Sequence, residues 1–289
     1  MKPTHIEVEI TADPALLENL SAILGQLGFE GFWEEAGTLR GYVTASRWSP
    51  RLEEEVRSVA LLIARASASA APRIAVREIA TQNWNREWEK TIQPIRVTDR
   101  IVITPTWHPI EPGANDVVLI IDPKMSFGTG YHETTRLVLQ LMEPRVRTGM
   151  TILDLGTGTG VLAIAALRLG AGHATGVDID EWSFENALEN VRLNGVADRA
   201  RILQGDLSAV PAGRFDMILA NIQLNVIAPV LPELRDRLVP NGSILLSGLL
   251  VSDEEEISAG LDRAGLAAVE RRTENEWLAL AVAARHERP

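Results

Sequence analysis

The 289-residue chain contains no cysteine, which excludes disulfide bonds and thiolate metal ligands. Its five histidines are scattered and form no H-x-x-x-H pair, so the sequence predicts no metal site. Its apolar stretches are interrupted by charges or glycines and are too short to span a bilayer. The start, MKPTHIEVEI, lacks the basic and apolar regions of a signal peptide. We therefore expect a soluble, cytoplasmic protein with no membrane partner.

The chain also lacks an excess of basic residues, because 28 Lys and Arg stand against 39 Asp and Glu, for a net charge of −11. A nucleic-acid-binding surface would need basic patches, so we expect no direct contact with nucleic acid. The negative charge is compatible with a basic protein substrate, although an excess of acidic residues more often serves only to keep a protein soluble. The length and the 46% hydrophobic content predict two domains, and we expect a monomer.

A glycine-rich segment is the most informative feature that is present. Residues Thr151–Gly160 read TILDLGTGTG, and the helix-forming run VLAIAALRLG follows. A second apolar segment ends at Asp178 in VDID, about 20 residues further on. Such a strand–turn–helix–strand unit brings backbone amides and a carboxylate to a ribose-bearing ligand. The alternative is a turn that only packs a helix on a sheet.

The glycine spacing distinguishes between ribose-bearing cofactors. The glycines fall as G-x-G-x-G, whereas the dinucleotide fingerprint is G-x-G-x-x-G. The preceding carboxylate, Asp154, suits an ammonium rather than a pyrophosphate. We therefore predict S-adenosylmethionine (AdoMet) as the cofactor, and a nicotinamide oxidoreductase is the alternative from another enzyme class. The cofactor contacts predicted in this unit are Asp154, Gly156, Gly158, Gly160, Asp178 and Ile179.

Residues 1–78 are predicted to form a separate small domain. THIEVEI alternates as a strand does, and Asp13 and Pro14 begin a helix. Two strands, a second helix from Pro50 and a last strand at Arg73–Ala80 follow. The order β-α-β-β-α-β predicts a ferredoxin-like α+β domain with an open sheet face. It has no catalytic constellation, so we interpret it as a substrate-recognition domain; a merely stabilising domain is the alternative.

Residues 79–94 are predicted to form a linker helix. Within TQNWNREWEKTIQ, Trp84 and Trp88 fall on one helical face, and that face must pack against another surface. A helix docked between domains is the preferred interpretation. An aromatic wall beside the substrate path is the alternative.

Residues 95–289 are predicted to form the AdoMet-binding domain. Two strands within residues 95–122 come first, and from Thr151 onward strands alternate with helices. This alternation predicts an α/β fold with a mostly parallel, Rossmann-like sheet covered on both faces. Its ligand is expected at the carboxyl ends of the strands. The last segments, AAVERRT and EWLALAVAAR, are predicted to pair antiparallel at the sheet edge.

Two more polar side chains end predicted strands. Asp206 in LQGDL is expected to face the adenine, with a helix cap as a nearly equal alternative. Asn221 in MILANIQLN is the predicted catalytic residue, because its oxygen can hold the N–H groups of an amine while the lone pair points at the sulfonium methyl. Enzymes that methylate DNA bases have N-P-P-aromatic here, and the absence of an aromatic favours an aliphatic amine. A capping asparagine is the alternative.

A polar loop, FGTGYHETT, precedes this unit and is predicted to fold over the cofactor. Its last threonines begin a predicted helix, so capping is their ordinary role, although their hydroxyls could reach the cofactor. His132 or Glu133 could accept a proton, but the sequence identifies no clear general base. The cofactor contacts predicted in this loop are Phe127, Gly128, Thr129 and Thr135.

Four segments in this order, DPKMSFGTGYHETT, LDLGTGTGVLAIAALRLG, GVDID and LANI, resemble the bacterial PrmA-type methyltransferases of ribosomal protein L11. NWNREWEKTIQPIRV and the front domain match as well, so the resemblance covers essentially the whole chain. It implies a class I AdoMet-dependent methyltransferase that trimethylates lysine ε-amines and the N-terminal α-amine of that ribosomal protein. It also implies that the front domain grips the substrate and swings about the linker helix. By motif position, it implies cofactor contacts at Thr135, Gly156, Asp178 and Asn221.

The chain departs from the family pattern at Thr157, where cysteine is frequent, and at Lys124, where glycine is common and the entrance loop could change. A related branch methylates a flavoprotein, so a lysine methyltransferase for another protein is the alternative function. A non-catalytic AdoMet-binding module and a small-amine methyltransferase are further alternatives. Asn221 and the FGTG loop argue against the first of these, and the front domain argues against the second.

Overall fold

The computed structural model describes residues 4–29, 31–35, 37–67, 69–80, 92–124 and 126–285. The chain divides into two compact units, Met1–Glu87 and Trp88–Pro289, called here the front unit and the catalytic unit. Among the helices of the described ranges, none is long and apolar enough to cross a membrane.

The front unit has the predicted order β-α-β-β-α-β. Its second helix begins where Ser49 caps it, since the Leu52 amide donates to Ser49 Oγ over 3.2 Å, and Pro50 fits the first turn. The elements are β1 Thr4–Thr11, α1 Pro14–Gln26, β2 Gly31–Glu35, β3 Thr38–Thr44, α2 Pro50–Ala66 and β4 Arg73–Ala80.

The front sheet has the order β2-β3-β1-β4, and all its neighbours are antiparallel. Alternate residues of β1, namely Ile6, Val8 and Ile10, are buried in one core with apolar residues of α1 and α2. Both helices therefore cover the same face, and the side chains between these positions lie on the other face. The result is the expected ferredoxin-like α+β domain.

The end of the front unit differs from the sequence-based boundary. Strand β4 continues to Ala80, so the boundary predicted at residue 78 falls inside it. The linker helix predicted over residues 79–94, with Trp84 and Trp88, lies mostly outside the described residues. Of its described part, residues 79–80 belong to β4, and residues 92–94 are not helical.

The catalytic unit begins with a three-stranded sheet of order β5-β6-β7: β5 Ile95–Arg96, β6 Ile101–Thr104 and β7 Val117–Ile120. The prediction of two strands in residues 95–122 is wrong, because a tight turn divides the first of them. The Val97 amide donates to the Ile101 carbonyl over 2.9 Å, and the Ile101 amide donates to Thr98 Oγ1 over 2.8 Å.

A seven-stranded sheet of order β10-β9-β8-β11-β12-β14-β13 forms the centre of the catalytic unit. Neighbours from β10 through β12 are parallel. The strand order reverses between β8 and β11, which is where doubly wound sheets bind ligands. The strands are β8 Thr151–Leu155, β9 His173–Asp178, β10 Ala200–Gln204, β11 Phe215–Asn221, β12 Leu238–Leu250, β13 Leu266–Glu274 and β14 Trp277–Ala284.

Helices cover both faces of this sheet, as the apolar runs of its strands predict. Ile152 and Met217 face the cluster that includes α3, α4 and α5. Leu153 and Ile218 face the opposite cluster, which includes α6 and α7. The helices are α3 Glu133–Met142, α4 Val161–Arg168, α5 Glu181–Leu193, α6 Leu224–Asp236 and α7 Glu254–Arg263.

The last two strands form the expected antiparallel pair at one edge. Within the pair, β13 is the outermost strand, and β14, which follows it in the chain, lies between β12 and β13. Strand β14 is antiparallel to both neighbours.

Candidate functional site

A cavity of about 560 Å³ opens at the carboxyl ends of the parallel strands of the catalytic unit. Its volume falls in the range of small-molecule sites, about 300–1,000 Å³. Residues from the ends of β8, β9 and β11 and from the turns after β9 and β10 line it, together with one wall from α6. The predicted site residues among those that line it are Phe127, Gly156, Gly158, Asp178, Ile179, Asp206 and Asn221.

The glycine turn after β8 fits tightly between two neighbouring segments. Gly156 and Gly158 have φ angles of +72° and +54°, in the region that favours glycine. A Cβ on Gly156 would stand 2.5 Å from Ile222 Cγ2, and one on Gly158 would meet the Phe127 carbonyl. The glycines are therefore needed for the approach of these two protein segments as well as for any ligand.

Asp178 ends β9 in the cavity wall and is oriented by backbone amides. Its Oδ2 accepts from the Gly158 amide over 2.8 Å, and its Oδ1 accepts from the Asp180 amide over 3.1 Å. Each carboxylate oxygen has lone pairs beyond the one used. The carboxylate can therefore still accept the hydroxyls of a ribose, while it holds the glycine turn in place.

Asp154 lies behind the glycine turn and not among the residues that line the cavity. Its side chain is 0% exposed, and Oδ2 accepts from Thr157 Oγ1 at 2.7 Å and from the Ala163 amide at 3.1 Å. Burial raises the pKa of this carboxyl to about 6. Oδ1 finds no hydrogen-bond partner among the described residues. In this position Asp154 supports the turn and the start of α4.

We expect Asp154→Asn to flatten part of the pH dependence of folding stability. The folded-state pKa of about 6 lies above the ordinary value of 3.8, so the contribution of this carboxyl is fully present below that lower value and is lost as pH rises through 6. Between about pH 5 and about pH 7.5 the wild-type protein should therefore lose on the order of 1.4 kcal/mol of its free energy of unfolding, a loss that Asp154→Asn lacks. Urea unfolding of both proteins at the two pH values measures it, and equal losses in both would contradict this account.

Asp206 lies in the cavity wall and also forms the cap that the sequence offered as the alternative. The element that it caps is the short 3₁₀ turn Leu207–Ala209. Its Oδ1 accepts from Ser208 Oγ at 2.6 Å and from the Ser208 amide at 2.9 Å. These bonds hold the pKa of the Asp206 carboxyl below its ordinary value, so it is ionised at neutral pH.

Asn221 ends β11 in the cavity wall with an unpaired acceptor. Its Nδ2 lies 3.4 Å from the Oγ1 of the buried Thr135. Its Oδ1 is buried and has no hydrogen-bond partner among the residues that the structure describes. A buried acceptor without a donor is costly, so this atom is suited to receive an N–H group of a ligand.

The loop after β7 is fixed to the glycine turn by Thr159. The Thr159 amide donates to the Phe127 carbonyl over 2.9 Å, and Thr159 Oγ1 donates to the Gly128 carbonyl over 2.7 Å. Phe127 is 51% exposed and forms part of the cavity wall. Gly128, Thr129, Thr135 and Gly160 are not among the lining residues.

The start of α3 is capped by His132 and not by the threonines that the sequence favoured. The Thr134 amide donates to His132 Nδ1 over 3.3 Å, and α3 begins at Glu133. The Glu133 carboxylate accepts from Asn275 Nδ2 over 2.9 Å. Bonds from its own amide and from Asn275 hold the pKa of Glu133 below its ordinary value, which makes it a weak base.

The two departures from the family pattern have local structural roles. Lys124 has a φ of +45°, in the left-handed region that favours glycine, and its ammonium contacts Glu189. Thr157 donates to the buried Asp154 carboxylate.

Sequence reasoning missed the apolar wall from α6, in which Val226 and Val230 line the cavity. The only indication of these residues in the sequence was that a helix, α6, follows directly after Asn221. With the exposed Ile179 they provide apolar surface beside Asp178 and Asp206. Carboxylates next to apolar side chains suit a nucleoside, so these residues fit AdoMet. In the described ranges, no group of three or more His, Cys, Asp or Glu could hold a metal ion.

Comparisons with known proteins agree over nearly the whole chain. The family model for ribosomal protein L11 methyltransferase (PrmA) matches residues 4–285. A ribosomal protein L11 methyltransferase of Chlorobaculum tepidum is 40% identical over 282 residues, 96% of each chain. One of Bacteroides fragilis is 37% identical over 264 residues, 90% of this chain and 91% of that protein. The crystal structure of ribosomal protein L11 methylase from Lactobacillus delbrueckii subsp. bulgaricus is similar with a TM-score of 0.64 and 30% identity, and the match covers 68% of this chain and 100% of that chain.

Proposed function

Because the chain belongs to the ribosomal protein L11 methyltransferase family, we propose that it methylates lysine ε-amines and the N-terminal α-amine of ribosomal protein L11, up to the trimethylated state. The protein is an AdoMet-dependent methyltransferase with a Rossmann-like α/β fold. Membership of this family rules against the alternative of a nicotinamide oxidoreductase. The same proposal includes a cytoplasmic, monomeric enzyme that makes no direct contact with nucleic acid. The net charge of −11 supports the lack of nucleic-acid contact, and a ribosomal protein as substrate supports the cytoplasmic location.

The observation that carries the proposal is the buried Oδ1 of Asn221, which finds no hydrogen-bond partner in the described part of the chain. AdoMet supplies an electrophilic methyl group on its sulfonium. In the first two transfers to a lysine, where the neutral amine still carries an N–H, Asn221 accepts that N–H and so turns the amine lone pair toward the methyl, because in-line displacement requires the alignment. The amine must be neutral, and transfer from water into a largely apolar cavity lowers the pKa of a lysine ammonium.

The cofactor sites are proposed from the same geometry. Asp178 accepts the ribose hydroxyls, and Ile179 and Asp206 lie against the adenosine. The turn Gly156–Gly160, supported from behind by Asp154, holds the methionine end. Phe127 and Asn221, which line the cavity, are further cofactor contacts of the proposal. Gly128, Thr129 and Thr135 remain in it as predictions from the sequence, since they do not line the cavity.

The front unit is proposed to bind the protein substrate through the open face of its sheet. Trp33 lies opposite Arg40 in the β2–β3 ladder, and it is 59% exposed. On the next strand, Arg40 pairs with Glu9 at 3.0 Å. Further across the same face, Arg77 pairs with Glu7 at 3.0 Å and with Glu9 at 2.9 Å. Trp33 lies on the edge strand of this face, with the row of ion pairs to one side of it. An exposed tryptophan next to charged pairs offers a protein partner an apolar anchor beside polar groups.

We expect Trp33→Ala to lower kcat/KM for methylation of ribosomal protein L11 about tenfold, since buried tryptophan anchors dominate binding energy. Calorimetry should give an unchanged Kd for AdoMet. The matched control is Leu62→Ala, because Leu62 is 71% exposed on α2, away from the open face. An effect of Leu62→Ala without an effect of Trp33→Ala would place recognition on the helical face.

The direct test of function is to incubate the protein with methyl-labelled AdoMet and purified ribosomal protein L11, and to locate the label by mass spectrometry. We expect label on lysine side chains and on the N-terminal amine. AdoMet binding without label would indicate another protein substrate, and an absence of AdoMet binding would contradict the cofactor site.

A further inference from the structure

Helix α5 carries three buried asparagines, Asn186, Asn190 and Asn194, at successive turns of one face. Their side chains bond the backbone at the edge of the three-stranded sheet, whose outer strand is β7. Asn194 Oδ1 accepts from the Ile120 amide at 2.9 Å, and its Nδ2 donates to the Ile120 carbonyl at 2.7 Å. The asparagine amide thus occupies the place of a neighbouring strand.

Asn190 repeats this pairing one turn earlier. Its Oδ1 accepts from the Asp122 amide at 3.0 Å, and its Nδ2 lies 3.3 Å from the Asp122 carbonyl. Asn186 Nδ2 donates to the same carbonyl at 2.8 Å. The three asparagines therefore fix the chain from Ile120 to Asp122, directly before the loop that leads to the cavity.

Asn190 also makes a hydrogen bond to the glycine turn. Among the described contacts, Asn194 makes no such bond. Asn190 Nδ2 donates to the Thr159 carbonyl over 2.9 Å. In a helix extended backward, that carbonyl would accept from the Ala163 amide. Here the Ala163 amide donates to Asp154 instead, so Asn190 supplies a donor to the carbonyl that the helix leaves open.

Asp122 and the pair Phe127–Gly128 are thereby both connected, through Asn190 and Thr159, to the glycine turn. Asp122 is bonded to Asn190 directly, and Phe127 and Gly128 are bonded to Thr159, whose carbonyl Asn190 holds. Phe127 lines the cavity. Asn190 is 0% exposed and is not among the lining residues, so it acts on the cavity only through these bonds.

We propose that Asn190 is a positioning residue for the cofactor: it holds the glycine turn together with Asp122 and, through Thr159, with Phe127 and Gly128, which places Phe127 as a wall of the cavity. This inference rests on the proposed function, because the cavity is taken to bind AdoMet. It concerns a residue outside the cavity and a role distinct from the transfer step.

The test compares Asn190→Ser with Asn194→Ser in the full-length enzyme. Both variants lose an asparagine that pairs the β7 segment, but only the first loses the bond to the glycine turn. We expect Asn190→Ser to raise the Kd and the KM for AdoMet about tenfold, since the buried Thr159 carbonyl loses its donor. The KM for the protein substrate should not change. Asn194→Ser should lower the melting temperature similarly and leave the Kd for AdoMet within about twofold.

Equal AdoMet affinities in the two folded variants would overturn the inference. Where Asn190→Ser does not fold, Asn190→Asp provides the second test, because its carboxylate still accepts from the Asp122 amide and no longer donates to the Thr159 carbonyl. An unchanged Kd for AdoMet in Asn190→Asp would likewise overturn the inference. The wild-type protein separates the two proposals, because a failure of the wild type to bind AdoMet contradicts the proposed function itself.

Discussion

Asn221→Ala is expected to lower kcat for amine methylation by about 10²- to 10³-fold, the size of effect seen when one oriented hydrogen-bonding group is removed from a reacting centre. The reason is the buried Oδ1 of Asn221, which has no partner among the described residues. Without it, the amine is no longer held with its lone pair toward the methyl group. The Kd for AdoMet should change less than kcat does, because Asn221 is one of several predicted cofactor contacts, whereas it is the residue predicted to orient the amine.

Single-turnover rates with methyl-labelled AdoMet, together with calorimetry, separate these two effects. The control variant is Asn221→Asp, which keeps an acceptor at the same position and should retain more activity than Asn221→Ala. If Asn221→Ala keeps its turnover rate and instead loses AdoMet affinity, the side chain holds the cofactor and not the amine.

Asp178→Ala is expected to raise the Kd for AdoMet about 10- to 100-fold, equivalent to about 1–3 kcal/mol. Two losses contribute to this change. The ribose hydroxyls lose their acceptor, and the Gly158 amide loses the Oδ2 that now lies 2.8 Å away. Isothermal titration calorimetry with AdoMet measures the change.

The nearby Asp180 provides the matched control. Its Oδ1 accepts from the Ser183 amide over 2.8 Å and caps α5. Asp180→Ala should therefore reduce stability by about 1 kcal/mol and leave AdoMet affinity close to that of the wild type. Equal losses of affinity in the two variants would attribute the effect to the start of α5 and not to the ribose.

The sequence predicted the parts of the site that depend on strand ends. Asp178 and Asn221 each follow an apolar run, and parallel strands deliver their carboxyl ends to the same edge. The structure places both in one cavity wall. The α/β sheet, the antiparallel terminal pair and the ferredoxin-like front domain followed from the same kind of pattern.

The sequence could not predict the direction of a side chain whose partners are distant in the chain. The Asp154 carboxylate faces the first turn of α4, because the Ala163 amide needs an acceptor there. The role of Asn190 was invisible for the same reason, since its partner Asp122 lies 68 residues away in sequence. Helix-capping preferences also favoured threonine over histidine as the cap of α3. In the structure His132 is the cap, and its ring packs against that of Trp277 with 4.7 Å between the ring centroids.

The final strand of the chain, β14, lies inside the large sheet. Because β12 and β13 both pair with it, neither completes its hydrogen bonds until Trp277–Ala284 has been synthesised. Its apolar residues also belong to the cores on both faces. The strands that the structure describes in the front unit, by contrast, are all complete by Ala80. During translation the front unit can therefore fold early, while the large sheet of the catalytic unit remains incomplete until Ala284 has been synthesised.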